Sequence, residues 1–217
     1  MHFYRGTLTL DGGKEINLKQ IGKGMFSKAY LTIKGKPYVY VITQQNDAGD
    51  YSKEILSTLR SPYLPSVTDV GCLDDGSCVY KMPYYRAPLR KKNSTKAWKQ
   101  YTVLKQCWEE AQANIRAKLA KRYDYRNAAH QFIYHGYDVM AEVVDCARGN
   151  KDVPAGLVKA LESLREGAAN YGSDYSFEFS PRNLATTESG HLILLDVVFS
   201  MESVGKIRAR ARKKARW

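Results

Sequence analysis

Three polar residues surround a short predicted hairpin near the C-terminal end of the chain. Glu178 stands five residues before Asn183, and an apolar run over residues 192–195 ends in Asp196. Residues 188–190, Glu-Ser-Gly, fit the turn of the hairpin between them. Burial of a carboxylate at the end of an apolar strand is costly unless a cation or another partner compensates its charge. The pattern therefore predicts a metal site at Asp196, although acids at these positions also fit ordinary turns.

A second informative segment lies near the N-terminus and contains two closely spaced glycines. Residues 21–30 read Ile-Gly-Lys-Gly-Met-Phe-Ser-Lys-Ala-Tyr, with the glycines at positions 22 and 24. Because glycine has no Cβ, its backbone N–H group can approach a phosphate closely. The segment predicts a phosphate-binding loop, whereas Gly-x-Gly without further context is more typical of a simple turn.

The hydrophobic periodicity changes from strand-like to helix-like near residue 85. Alternating and β-branched runs predict strands over 3–10, 15–20, 28–33, 38–42, 66–73 and 77–82. One helix is predicted over 51–60, with Tyr51, Ile55 and Leu59 on one face, after a loop over 46–50. Three- and four-residue spacing then predicts helices over 96–123 and 128–147, and a third from Pro154 to about residue 170.

These elements predict an α+β protein with a β-rich lobe, a helical lobe and a tail. The expected boundaries are residues 1–85, 86–200 and 201–217. The net charge is +12, and seven basic residues lie within Lys206–Trp217. Such a tail attracts polyanions and predicts non-specific contact with nucleic acid, but a solvated, partly helical end is an equally good interpretation.

The remaining composition points to a cytoplasmic protein without a membrane anchor. No secretory signal is recognisable, and no apolar run approaches the length of a membrane span. The four cysteines contain no Cys-x-x-Cys pair, so a zinc site is not expected. Cys72 and Cys78 flank a predicted turn, and in a reducing cytosol both are expected to be thiols.

The order and the residues of these segments resemble protein kinases, most of all the early serine/threonine protein kinases of T7-like bacteriophages. Residues 22–30, 177–183 and 194–200 carry the resemblance, together with the basic tail that follows them. It implies a bilobal kinase-like fold, with a small antiparallel β N-lobe containing one helix and a reduced, mainly helical C-lobe. It also implies ATP and Mg²⁺ as cofactors and transfer of the γ-phosphate to host proteins in the cytoplasm of an infected bacterium. The host targets would belong to transcription, RNA processing or defence.

The resemblance also assigns roles to single residues. Asn183 and Asp196 would bind magnesium, and Glu178 stands where the family has its catalytic aspartate. The nucleotide would be bound by residues spread over the N-lobe: Ile21, Gly22, Gly24, Lys28, Ala29, Glu54, Met82 and Tyr84. The glycines would cover the phosphates, Ile21 and Ala29 would pack on adenine, and residues 82–84 would form the hinge. Glu54 would be the acid that normally pairs with a lysine.

The sequence departs from the family pattern at several positions. The predicted strand over 38–42 contains no lysine, so Lys23, Lys28 and Lys53 are the candidates for the phosphate-binding cation. Glu178 is one methylene longer than the expected aspartate, and Val197 follows Asp196 where the family has phenylalanine. These departures favour an alternative, a catalytically weak pseudokinase that binds and inhibits a host enzyme. A third hypothesis is a nucleic-acid-associated protein that acts through its basic tail.

Overall fold

The protein is an α+β chain whose first part is mostly strands and whose second part is mostly helices. The computed structural model describes residues 1–24, 26–43 and 51–214. Met25 of the glycine-rich segment, the loop predicted over 46–50 and the last three residues of the tail lie outside the described residues. The chain divides into two compact units. The first combines Met1–Thr58 with Pro65–Tyr84, and the second combines Leu59–Leu64 with Tyr85–Trp217.

The first unit is built on a seven-stranded antiparallel sheet. Its strands are β1 (His2–Tyr4), β2 (Thr7–Thr9), β3 (Glu15–Lys23), β4 (Ser27–Thr32), β5 (Tyr38–Thr43), β6 (Thr68–Cys72) and β7 (Cys78–Pro83). Their order across the sheet is β1-β2-β3-β4-β5-β7-β6. One face carries a buried apolar cluster that includes Leu8, Leu18, Tyr30, Tyr40, Ile42 and Val79.

Two local predictions for this unit are wrong. The strand expected over 3–10 is divided into β1 and β2, because Arg5 and Gly6 both adopt positive φ and turn the chain. The helix, α1 (Ser52–Thr58), is shorter than predicted. Tyr51 and Leu59 lie outside it, so helical spacing does not place them on a common face. The buried face of α1 consists instead of Ser52, Lys53, Ile55 and Leu56.

The second unit contains five helices and two small antiparallel pairs among its described residues. The helices are α2 (Thr95–Ala120), α3 (Tyr125–Phe132), α4 (Gly136–Arg148), α5 (Ala155–Ala169) and α6 (Met201–Lys214). The strands are β8 (Tyr175–Phe177), β9 (Leu184–Thr186), β10 (Leu192–Leu194) and β11 (Val198–Ser200). β9 pairs with β10, and β8 pairs with β11. No described helix has both the length and the apolar character needed to cross a membrane.

The helix predicted over 128–147 is in fact two helices, α3 and α4, separated by a 3₁₀ turn over Ile133–His135. The second of them begins at Gly136, whose backbone packs directly against Asp174 and Tyr175. A Cβ at this position would collide with the backbone of both residues. Only glycine permits this approach, so the close packing of α4 on β8 explains the break in a continuous helical pattern.

The cysteines of the two units differ in bonding. Cys72 and Cys78 face each other in the β6–β7 register and form no disulfide, as the sequence predicted. Cys107 of α2 and Cys146 of α4 do form one, with their Cα atoms 5.7 Å apart. The sequence did not predict this disulfide. The two cysteines are brought together only by the packing of α2 against α4.

Candidate functional site

The three polar residues selected from the sequence lie in one hydrogen-bonded frame of the second unit. β8 and β11 are antiparallel, and Tyr175 lies opposite Ser200 at one end of the pair and Phe177 opposite Val198 at the other. The Glu178 N–H donates to the Val197 carbonyl at 2.8 Å, which extends this pairing by one residue. The backbone of Glu178 is therefore fixed beside the residue that follows Asp196.

Asn183 connects the two other members of the group. Its backbone carbonyl accepts hydrogen bonds from the N–H groups of Leu195 and Asp196, each at 3.0 Å. Its side-chain Nδ2 donates to the Glu178 carbonyl at 3.5 Å, a long hydrogen bond. Because the amide nitrogen is turned toward Glu178, the oxygen Oδ1 of the same group points away from that carbonyl and can accept or coordinate elsewhere.

Local sequence explains how Asn183 reaches this position. Pro181 begins a single 3₁₀ turn, Pro181–Asn183, after the extended residue Ser180. The turn closes with a hydrogen bond from the Asn183 N–H to the Ser180 carbonyl at 3.0 Å. Proline suits the first position of such a turn because its φ is already set and its missing N–H has no helical partner to lose.

A neighbouring segment of the same unit holds the outside of the hairpin. Arg86 and Thr186 exchange two backbone hydrogen bonds, at 2.9 and 3.1 Å. The Leu89 N–H lies 2.9 Å from the carbonyls of both Pro181 and Leu184, and donates to the two together. The loop that bears Asn183 is therefore braced from outside as well as by its own hairpin.

The side chains of Glu178, Asn183 and Asp196 are all partly buried between fully buried apolar neighbours. These neighbours include Phe177, Phe179, Leu184, Leu194 and Val197. These buried neighbours restrict the positions that the three polar side chains can adopt. A carboxylate and an amide oxygen are suitable Mg²⁺ ligands, especially when phosphates and water complete the coordination. Among the described residues, no three His, Cys, Asp or Glu side chains cluster as a self-sufficient metal cage.

The two glycines of the predicted phosphate-binding loop have no conformational reason to be glycine. Neither Gly22 nor Gly24 adopts a positive φ. An added Cβ at Gly22 would meet only Ala29, and one at Gly24 only Ser27, all at the ordinary contact distance of 3.6 Å. The turn itself is closed by the Gly24 N–H donating to the Ser27 carbonyl at 2.8 Å. The geometry of the turn therefore does not require glycine at either position.

The residues predicted to pack on adenine and to form the hinge lie on and beside one face of the sheet. Ala29 of β4 pairs with Val41, and Met82 of β7 pairs with Val39. Val39 and Val41 are two residues apart on β5, so their side chains point to the same face of the sheet. Ala29 and Met82 therefore share this face, which is opposite the face that carries Tyr30 and Tyr40. Ile21 lies at an irregularity in the β3–β4 pairing and is 48% exposed. Tyr84 follows the end of β7 and is 45% exposed.

The charged residues of α1 differ in their burial. Glu54, the predicted partner of a lysine, is exposed, whereas the neighbouring Lys53 is only 5% exposed. Lys23 and Lys28, the other candidate cations, are both exposed. Lysine is among the residues least often buried. Lys53 is therefore the most unusual cation of this unit, and only the packing of α1 distinguishes it from its neighbours in the sequence.

Tyr80 is a residue of this unit that no motif singled out. It pairs with Val41 and so shares the face of Ala29 and Met82. Burial raises the pKa of the Tyr80 phenol well above its ordinary value, and nearby acidic groups, Glu54 among them, reinforce the effect. Tyr80 is thus a neutral hydroxyl at physiological pH. The sequence did not distinguish Tyr80, because tyrosine is a common residue in β-strands.

Compared with models of known protein families and with curated proteins, the chain matches none.

Proposed function

We propose that the protein is an ATP- and Mg²⁺-dependent serine/threonine protein kinase of the kind that T7-like bacteriophages produce early in infection. One observation carries the proposal: Asn183 is hydrogen-bonded to both Glu178 and Asp196 through separate groups of the same residue. The three residues were selected from the sequence by a kinase-like spacing, and a common frame in the structure supports a common role. Its substrates would be host bacterial proteins, with transcription and RNA-processing machinery as the first candidates.

Asn183 and Asp196 fit the role of magnesium ligands. The Asn183 amide nitrogen is engaged with the Glu178 carbonyl, which leaves its oxygen for a cation. Mg²⁺ commonly takes one or two protein oxygens and completes its shell with water and nucleotide phosphates. A cation bound by these residues would neutralise negative charge on the phosphates during transfer.

Glu178 would act on the substrate hydroxyl. Its carboxylate can accept the proton that a serine or threonine releases, as the shorter aspartate does in the kinase family. Because glutamate is one methylene longer than aspartate, its carboxylate extends farther from the backbone. The hydrogen bond from the Glu178 N–H to the Val197 carbonyl fixes the backbone, so only rotation about the side-chain bonds changes the position of the carboxylate.

Lys53 is the residue that we propose to bind the phosphates in place of a lysine on β5. That strand, Tyr38–Thr43, contains no lysine, and its last residue, Thr43, is buried with its Oγ1 donating to the Cys78 carbonyl at 3.3 Å. Lys53 is buried on α1, and a low-dielectric environment strengthens the attraction of an ammonium group for phosphate. Gly22 and Gly24 would supply the backbone surface that covers the same phosphates.

The direct test is transfer of labelled γ-phosphate in a bacterial lysate with Mg²⁺. Wild-type protein is compared with Asp196→Asn, and with Glu188→Gln as a matched control that removes an exposed acid in the adjacent hairpin turn. The proposal predicts labelled host proteins with the wild type and the control, and a loss of about a thousandfold or more with Asp196→Asn. Equal labelling by Asp196→Asn would overturn it.

The absence of a lysine from β5 favours a second function, a pseudokinase that binds and inhibits a host enzyme. This alternative predicts that inhibition of host growth survives in the double variant Asn183→Ala/Asp196→Asn. The kinase proposal predicts that the same double variant is harmless at equal expression. Growth curves of the two strains therefore separate the hypotheses without knowledge of the substrate.

A further inference from the structure

A row of exposed cations lies beside the hairpin that bears Asn183, within the second unit. Between Asp75 and Glu109 the sequence contains eight lysines and arginines and no acidic residue. This stretch includes the segment 86–94, which braces the hairpin from outside. We call the exposed cations of that segment, together with the one in the turn before Asn183, the basic strip. Its members are Arg86, Arg90, Lys91, Lys92 and Arg182.

Backbone hydrogen bonds fix part of the basic strip against the candidate site. The Leu89 N–H donates to the Pro181 carbonyl at 2.9 Å. Arg90 follows the first of these residues and Arg182 the second, so the two arginines extend from neighbouring points of the backbone. Asn183, the proposed magnesium ligand, comes directly after Arg182. Two cations of the strip therefore lie next to the turn at which phosphate transfer is proposed.

A tight turn presents the two lysines of the strip. The Asn93 N–H donates to the Arg90 carbonyl at 2.9 Å, which closes a turn with both lysines at its central positions. The residue after this turn, Ser94, packs on the tip of the hairpin, because a Cβ added at Gly190 would lie 3.3 Å from the Ser94 side chain. The lysine turn is thus supported on both sides, and its cations have a defined place beside the hairpin.

The charge of the strip is not compensated within the protein. None of its five cations forms an ion pair with an acid among the described residues. Other cations of the same unit do, as in the pair of Lys118 with Glu142 at 2.6 Å. Between Asn183 and Asp196 the hairpin contains one acid, Glu188. Like charges that are held close together repel one another, and an anionic partner bound there would relieve this repulsion.

We propose that the basic strip binds acidic residues that flank the serine or threonine to be phosphorylated, so that acidic segments of host proteins are the preferred substrates. The inference rests on the proposed kinase function and specifies its substrate class. An extended peptide advances by about 3.3 Å per residue, so carboxylates within about four residues of a hydroxyl placed at Glu178 can reach the strip. Arginine can hold both oxygens of a carboxylate, and lysine attracts it as a point charge.

The first test measures binding and does not require phosphate transfer. Three fluorescein-labelled peptides have alanine at the acceptor position and carry glutamates, glutamines or lysines on both sides of it. Fluorescence anisotropy at about 0.1 M salt measures their affinity for the whole chain, because exposed charges farther apart than about 10 Å are then largely screened. We expect the glutamate peptide to bind about tenfold more tightly than the glutamine peptide. Equal affinity for these two peptides would overturn the proposal.

Neutral variants show whether the strip is responsible for the preference. Lys91→Gln/Lys92→Gln is expected to weaken binding of the glutamate peptide about fivefold, since each exposed cation contributes modestly. The matched control, Lys213→Gln/Lys214→Gln, removes the same charge from an adjacent pair in the basic tail and should leave the affinity nearly unchanged. An equal loss in the two variants would show attraction by net charge alone and would contradict the assignment.

Charge reversal provides a gain of binding, which a damaged fold cannot produce. Lys91→Glu/Lys92→Glu should bind the lysine peptide more tightly than the wild type does, by about fivefold. The control Lys213→Glu/Lys214→Glu makes the same change in net charge and should produce a smaller gain. A lysine-peptide affinity that is no higher in the strip variant than in the tail variant would overturn the proposal.

Phosphate transfer separates failure of this inference from failure of the proposed function. With serine at the acceptor position, kcat/KM should be about tenfold higher for the glutamate peptide than for the glutamine peptide, through KM and not kcat. Transfer to both peptides with equal efficiency would overturn the inference and leave the kinase proposal standing. Binding of the glutamate peptide through the strip, without transfer, would support the strip and count against the kinase proposal.

A single-stranded DNA tests the other class of polyanion. We expect its binding to depend on Lys213 and Lys214 of the tail more than on Lys91 and Lys92, because phosphate backbones respond to the local density of cations. A loss of DNA binding in Lys91→Gln/Lys92→Gln, with unchanged binding of the glutamate peptide, would assign the strip to nucleic acid and overturn the proposal.

Discussion

The hairpin segment of residues 178–196 and the glycine turn of residues 22–27 are held in different ways. In the hairpin, the carbonyl of Asn183 accepts two hydrogen bonds, and its side chain makes a third interaction. Fully buried neighbours pack beneath the polar residues. In the glycine turn, one backbone hydrogen bond joins Gly24 to Ser27, and Lys23 and Gly24 are exposed.

This difference matches two ways of binding phosphates. A side chain that coordinates a cation or accepts a proton must be held at a defined position, because small displacements reduce the rate strongly. A loop that lies over phosphates with its main chain needs an uncovered backbone more than a rigid one. Substitutions in the hairpin should therefore change chemistry, whereas substitutions in the turn should change affinity.

An effect comparable to that of Asp196→Asn is expected for Glu178→Gln. The change keeps the shape of the side chain and its backbone hydrogen bond, but it removes the group that would accept a proton. Phosphate transfer should fall about a thousandfold, and nucleotide affinity should stay the same. Single-turnover kinetics measure the rate of phosphate transfer, and titration with a fluorescent nucleotide measures the affinity. A normal transfer rate would show that Glu178 only supports the hairpin.

Gly136→Ala tests the support behind the hairpin. The added Cβ would meet the backbone of Asp174 and Tyr175, which cannot move without displacing β8. The free energy of unfolding should fall by about 3 kcal/mol. Urea denaturation compares this variant with Gly149→Ala, where an added Cβ lies no closer than 3.6 Å to its neighbours. Equal stability of the two variants would mean that α4 and β8 are not packed as described.

The double variant Gly22→Ala/Gly24→Ala should lose nucleotide affinity and keep its stability, in contrast to Gly136→Ala. Both added Cβ atoms have ordinary contacts, so the fold should keep its stability. Nucleotide affinity should fall about tenfold, because the methyl groups block close approach of phosphates. Gly12→Ala is the control, since an added Cβ there meets nothing within 4 Å. Unchanged affinity in the double variant would leave the turn without a role in nucleotide binding.

The smallest effect is expected for Thr186→Val in β9. The Thr186 side chain is 0% exposed, and its Oγ1 has no hydrogen-bond partner among the described residues. Its backbone pairing with Arg86 does not depend on the hydroxyl. Valine has nearly the same shape, so stability should rise by about 1 kcal/mol while transfer stays unchanged. A lower melting temperature would indicate that the hydroxyl has a partner in solution.

The strand-rich first part and the helix-rich part that follows could be predicted because the periodicity of apolar residues changes near residue 85. The division into α3 and α4 could not, since it depends on Gly136 meeting Tyr175, far away in the sequence. The Cys107–Cys146 disulfide escaped prediction for the same reason: each cysteine is ordinary within its own helix, and only the packing of α2 on α4 pairs them.

The candidate site was predicted in part. Glu178, Asn183 and Asp196 belong to one continuous segment whose turn and strand residues are visible in the sequence. The burial of Lys53 could not be predicted, because the face that α1 buries depends on where that short helix begins and ends.

The most direct test of the account is to locate the cation itself. Mn²⁺ replaces Mg²⁺ at most oxygen sites and broadens NMR signals of nearby nuclei, so Mn²⁺ with ADP can be titrated into ¹⁵N-labelled protein. The account predicts selective broadening of the Asn183 side-chain amide and of the Asp196 and Val197 backbone amides, and loss of this broadening in Asp196→Asn. Broadening that avoids these residues, or that persists in the variant, would contradict a magnesium site at Asn183 and Asp196.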